Sequence, residues 1–255
     1  MSINACAAMV ERGDPDRFLA AMAAPAELRG RLFVLYAFNL EVARAPWVTK
    51  EEMIAEMRLQ WWRDVVEEAP NATKDRSHEV AGPLATLIRD QNLPIELLDQ
   101  IIAARRWDIY RDPFEDQADM DRHLMHSAGN LMWVSALALD ASQQMEKPAR
   151  DIGFAMGIAA WLRAVAGLAD QNRVPLVDGR PEGVRALAQS GLDQLKSARG
   201  AKFGAATPAI RAGWRSALLL KQAVKSPDLV ADGTLETSEL QRRGGLLVKT
   251  LLGKH

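Results

Sequence analysis

Apolar residues recur at helical spacing along nearly the whole chain, and no apolar–polar alternation of useful length interrupts them. Leu28, Leu32, Leu35 and Val42 keep one helical face at steps of three, four or seven. Leu97, Ile101 and Ala104 do the same further on, with Leu98, Ile102 and Ile109 alongside. A chain so patterned has helices to pack and no sheet to build. Its punctuation agrees. Asp14-Pro15-Asp16 reads as a helix N-cap with proline in the first turn. Asn92-Leu93-Pro94 and Asp112-Pro113 read as breaks, because proline disfavours helix in the residue before it. Val174-Pro175-Leu176-Val177-Asp178-Gly179 reads as a turn closing a long helix. The spacing predicts an all-α domain of roughly eight to ten helices over residues 1–225, followed by a peripheral segment over 226–255.

Composition narrows the function classes. The 255 residues are 48% hydrophobic and 25% charged, ordinary values for a globular protein with a sizeable core. A net charge of −1 gives no bulk attraction for nucleic acid. Cys6 is the single cysteine, which excludes an intrachain disulfide and fits a reducing compartment. The start, Met1 to Cys6, has neither a basic region nor a long apolar one, so no signal peptide is expected. No run of about 18 uncharged apolar residues predicts a membrane span. The expected location is the cytoplasm, at most peripheral to the inner membrane face, with Leu246-Leu247-Val248 either touching lipid weakly or packing the tail onto the fold.

Several polar residues carry two readings. Asp108 and Asp112 have a spacing that puts both carboxylates on one helical face, as a metal pair would need; Arg105, Arg106 and Arg111 beside them favour ion pairing instead. Arg163 and Asp170 continue the apolar stripe of Ile152, Met156 and Ala159, so they either face a polar cavity or pair at the helix end. Trp61-Trp62, between Arg58 and Arg63, offers a stacking surface, but without a basic stripe a half-buried helix contact is favoured, with one ring facing inward. His78, His123, His126 and His255 show no spacing for a metal site or a nucleophile triad.

The segments Leu35-Tyr36-Ala37-Phe38-Asn39-Leu40-Glu41-Val42-Ala43-Arg44-Ala45-Pro46-Trp47 and Arg58-Leu59-Gln60-Trp61-Trp62-Arg63-Asp64 resemble the opening helices of the squalene/phytoene synthase family. Gly157 to Leu176 resembles that family's second acidic helix, and His126-Ser127-Ala128-Gly129-Asn130-Leu131 its small-residue region. The resemblance covers roughly residues 14 to 220 and implies an isoprenoid synthase-like helical bundle around a central cavity. In the family, two aspartate clusters hold Mg²⁺ against a prenyl diphosphate while an apolar cavity shields an allylic cation. Here the first cluster's positions fall on Ala43, Arg44 and Trp47. In the second, Trp161, Leu168, Gln171 and Asn172 stand where the family has glutamine and acids, and only Asp170 is acidic. Glu41 lies one turn before Arg44, and an intrahelical pair is its simplest account.

The resemblance extends to a subgroup that also lacks these aspartates and includes a respiratory complex I assembly factor. It implies a non-catalytic protein without a cofactor, binding a protein client that is a respiratory complex subunit. The alternatives are a prenyltransferase using Mg²⁺ with Asp108, Asp112 and Asp170 as its acids, or a carrier of a prenyl or lipid ligand. Tyr36, Glu41, Arg44 and Arg58 are ligand-binding candidates on the first two helices, with Trp62 beside them. Arg163 and Arg173 are the candidates on the second motif.

Overall fold

In a computed structural model describing residues 3–73 and 76–253, helices account for the regular structure and the described residues contain no strand. The first half is built from α1 (Ile3–Gly13), α2 (Pro15–Met22), α3 (Ala26–Arg44), α4 (Glu52–Glu68), α5 (Ala81–Gln91), α6 (Ile95–Ala103) and the short α7 (Arg106–Tyr110). After it come α8 (Gln117–Leu124), α9 (Asn130–Leu137), α10 (Glu146–Ala169), α11 (Pro181–Ser197), α12 (Thr207–Ile210), α13 (Ser216–Lys225), α14 (Asp228–Ala231) and α15 (Glu239–Leu251). Twelve of these run eight residues or longer, more than the spacing predicted, because proline and left-handed residues cut the apolar runs into shorter rods. Asp14 caps α2, its carboxylate accepting from the Arg17 N–H at 3.0 Å, with Pro15 in the first turn. Asn92, at φ 46°, ends α5 just before Pro94.

α10 is the central rod. Its Ile152 joins the core formed by α1 to α6 and α9, and its Ile158 and Leu162 join a second core with α8, α11, α13 and α14. The stretch Gln143–Ala169 has the length and hydropathy of a membrane span. In the fold its buried apolar residues pack into both cores, as those of a core helix do. Close approach sets its neighbours. Met125–Gly129 forms a π-helical turn between α8 and α9, and a Cβ added at Gly153 would sit 2.7 Å from the Ala128 carbonyl oxygen and 2.6 Å from Met132 Cβ. The small residues of the His126–Leu131 stretch therefore let two helices touch backbone to backbone.

The C-terminal segment is tied back to the start of the chain. Asp16 on α2 accepts from Arg215, and from Arg242 Nε at 2.5 Å on α15. Glu236 pairs with both Arg215 and Arg163. Arg215 is buried, so these acids satisfy a charge that would otherwise be costly inside. Leu246 packs inward, and the Trp214 indole donates to the Arg242 carbonyl at 3.0 Å.

Candidate functional site

The positions of the two metal clusters lie on the end of α3 and the end of α10. Neither supplies a carboxylate where the cation would sit. Ala43 has no donor, the Arg44 side chain is cationic and exposed, and Trp47 follows Pro46 in a tight turn, Ala45–Trp47. On α10, Trp161 donates its indole N–H to the Pro175 carbonyl at 2.8 Å, and Asp170 is exposed at the helix end. Among the described residues no three of His, Cys, Asp and Glu come together to hold a metal ion. Mg²⁺ needs a near-octahedral shell of oxygens, so this donor set does not fit it.

An aromatic plug stands between the two motifs instead. Trp107 stacks on Phe114 at 5.1 Å and meets Trp161 edge-on at 5.0 Å. His123 closes the group, 5.1 Å from Trp161 and 5.4 Å from Phe114. Burial, reinforced by Arg105, holds the imidazole neutral and pushes its pKa down to about 3. Arg173, only 6% exposed, inserts its guanidinium between Trp47 and Trp107, 4.7 Å and 5.1 Å from the two ring centres. It also donates to the carbonyls of Trp107 at 3.2 Å and Asp108 at 2.5 Å. Asp108 is buried, its pKa raised by desolvation and held back by Arg105, 3.9 Å away, and by Arg173. Next to Tyr36 a space of about 10 Å³ remains, also lined by Arg17, Ser135 and Met156. It has room for about one water molecule. Burial raises the Tyr36 phenol to about 12.

The open space is on the surface. A groove of about 580 Å³ runs between the end of α3 and one face of α4, and it gathers four sequence candidates: Glu41, Arg44, Arg58 and Trp62. Ile54, Met57 and Trp61 follow at helical spacing on α4, with Val48 opposite. Ile54, Met57 and Val48 are all exposed, and Trp62 is buried against Phe38 at 5.6 Å. Trp61 stays half-buried, perpendicular to Trp62 at 4.9 Å, with the Arg76 guanidinium 5.5 Å from its ring centre. His78 lines the floor and caps α5, its Nδ1 accepting from the N–H groups of Val80 and Ala81. No ion pair joins Glu41 to Arg44 among the described residues, contrary to the simplest expectation; both side chains are solvated, and such a pair is worth only about 0.3–0.5 kcal/mol.

The sequence model of squalene/phytoene synthases matches residues 10–216, more than half of the chain. The chain belongs to the squalene/phytoene synthase family. A dehydrosqualene synthase in complex with ligand superposes with a TM-score of 0.77 at 14% identity, covering 98% of this chain and 96% of that one. Squalene synthase HpnC from Alicyclobacillus acidocaldarius superposes at 0.63 and 17% identity, covering 98% and 94%. At such identities these neighbours establish the isoprenoid synthase-like fold alone. Among sequence relatives, the Bos taurus protein named NADH dehydrogenase (ubiquinone) complex I, assembly factor 6 is 26% identical over 66% of this chain and 51% of its own length. Its Drosophila melanogaster homolog is 28% identical over 68% and 53%. The chain spans about half the length of these curated relatives.

Within this family scaffold the remaining candidates are dispersed. Asp108 is buried and Asp112 exposed, because α7 stops at Tyr110 and Arg111 turns left-handed at φ 63°; the two carboxylates do not share a helical face. The proline after Asp112 forces that stop. Arg163 and Asp170 do not continue the buried stripe: both are exposed, and Arg163 pairs with Glu236 near the chain's end. His255 lies outside the described residues. Missed altogether were Phe114 and His123 as partners of Trp107 and Trp161, and the buried Asn39, which accepts from Arg105 at 3.3 Å. Asn39 carried a signal: it is the lone polar residue in the apolar run from Leu32 to Leu40.

Proposed function

We propose that this chain is a non-catalytic family member that works by binding a protein client during assembly of respiratory NADH:quinone oxidoreductase, on the cytoplasmic side. One observation carries the non-catalytic part. The space between the two motifs, where substrate diphosphate and metal would meet, is filled by Arg173 held between Trp47 and Trp107, with Trp161 behind. Asp108, Asp112 and Asp170 form no cluster to replace the lost acids. A carrier would need a long apolar tunnel, and the space next to Tyr36 is about 10 Å³. The assembly part draws its support from the names of the relatives.

We assign the client to the α3–α4 groove. Its exposed Met57, half-exposed Trp61 and two arginines are residue types enriched in protein interfaces. The test is removal of the gene from its host, followed by native-gel measurement of assembled NADH:quinone oxidoreductase. The assembled complex is expected to fall, and to be restored by the wild-type chain and by Asp170→Ala but not by Met57→Glu. Unchanged assembly after gene removal would refute the reading.

A further inference from the structure

α15 shows the outside a face that the fold does not use. Arg242, Leu246 and Lys249 point inward, where Arg242 meets Asp16 and Leu246 is buried. Leu240, Leu247 and Leu251 recur at steps of seven and four on the opposite face, with Gly244 between them and Val248 alongside. Their exposures are 84%, 60% and 76% for the three leucines and 54% for Val248. This helix is not a loose tail. Ser238 and Gln241 close a capping box, and the Trp214 indole is bonded to the Arg242 carbonyl, so the aliphatic stripe is held facing outward.

The same corner is cationic in a chain of net charge −1. Arg242 is paired with Asp16 and Glu239, and Arg243 with Glu239, so the positive charge lies in the groove beside the helix. Directly beside α15 lies a groove of about 920 Å³, with Arg199, Lys202 and Lys249 in its lining, Phe203, Ile210 and Trp214 on its apolar side, and no acid. A protein interface usually concentrates aromatic anchors, and the stripe has none; aliphatic side chains next to cations suit a bilayer surface, where leucines enter the acyl boundary and cations meet lipid phosphates. Of Leu246-Leu247-Val248, which the sequence leaves open between lipid contact and packing, Leu246 faces the core and the other two reach the surface.

We propose that the outward face of α15, with the cationic groove beside it, is a peripheral binding site for an anionic phospholipid bilayer. The contact is independent of which client the chain serves. The experiment is flotation of the purified chain with phosphatidylcholine vesicles, with and without phosphatidylglycerol. Binding is expected to the anionic vesicles, weakening as salt rises, because surface cations contribute only within a Debye length of about 10 Å. The double variant Leu247→Glu and Leu251→Glu is expected to lose at least about tenfold in partitioning while its melting temperature stays unchanged, since neither leucine packs on the fold. Lys202→Glu is expected to weaken binding several-fold to anionic vesicles only. Absence of vesicle binding overturns the proposal, as does binding indifferent to the leucine variant. A wild-type chain that ignores vesicles but self-associates, and becomes monomeric in the leucine variant, overturns it too and makes the stripe a protein contact.

Discussion

Replacing Arg173 with alanine tests how the bundle's centre is held shut. The side chain is 6% exposed, stacked between Trp47 and Trp107, and donates to two carbonyls of α7. Each cation–π face contributes about 1 kcal/mol in such a setting. Each hydrogen bond from a charged donor adds roughly 1.5 kcal/mol, and its loss leaves a carbonyl to be rehydrated. Desolvation of the guanidinium, which lowers its pKa, opposes these gains, so the net loss for Arg173→Ala is about 3 kcal/mol. For a chain of this size that lowers the melting temperature by about 6–12 °C. Circular dichroism melting reads it, with tryptophan fluorescence expected to shift to longer wavelength as Trp107 becomes wetter. Arg173→Lys keeps the charge but loses the planar fork, and is expected to recover less than half of the loss. A shift under about 1 °C for Arg173→Ala would refute the claim that this guanidinium closes the site.

Two further outcomes follow from packing and burial. Gly153→Ala is expected to destabilise by about 1–3 kcal/mol, because the new Cβ would meet the Ala128 carbonyl oxygen at 2.7 Å. Gly167→Ala on the same helix meets nothing within 4 Å and is expected to leave the melting temperature unchanged or slightly raised. His123 is neutral in the fold, with a pKa of about 3, and takes up a proton near 6.5 when unfolded. The unfolded state therefore binds more protons between those values, and stability falls as pH drops from about 6.5, by up to about 1.4 kcal/mol per unit. Asp108, whose pKa is raised, acts in the opposite direction at lower pH. His123→Phe keeps the ring contacts and is expected to flatten the melting-temperature profile between pH 6.5 and 5; a profile as steep as wild type would show that the imidazole is not the source.

Much of the fold was legible because helical period and proline placement are local. The Asp14-Pro15 cap, the Asn92–Pro94 break and the turn after α10 all stand where the residues put them. The loss of the acids was legible too, since a residue type is read directly. Less so was what replaced them. The plug assembles Trp47, Trp107, Phe114, His123, Trp161 and Arg173 from six separate helices and loops, and no spacing along a chain announces such a meeting. The spacing of Asp108 and Asp112 gives no shared face because α7 ends at Tyr110 and Arg111 turns left-handed between them, while the favoured ion pairing appears as Arg105 beside Asp108. The tie between Asp16 and Arg215 spans 199 positions and left no local trace. Arg44 and Arg58 did converge on one groove, because the end of α3 faces the side of α4, the next long helix in sequence.

The most direct measurement is release of inorganic diphosphate from farnesyl or geranylgeranyl diphosphate by the purified chain with Mg²⁺. A scaffold without the acids, in which Arg173 packs between Trp47 and Trp107 with Trp161 behind, is expected to release none above the buffer control and to yield no condensed hydrocarbon. Diphosphate release that depends on Mg²⁺ and disappears in Asp108→Ala would contradict the account.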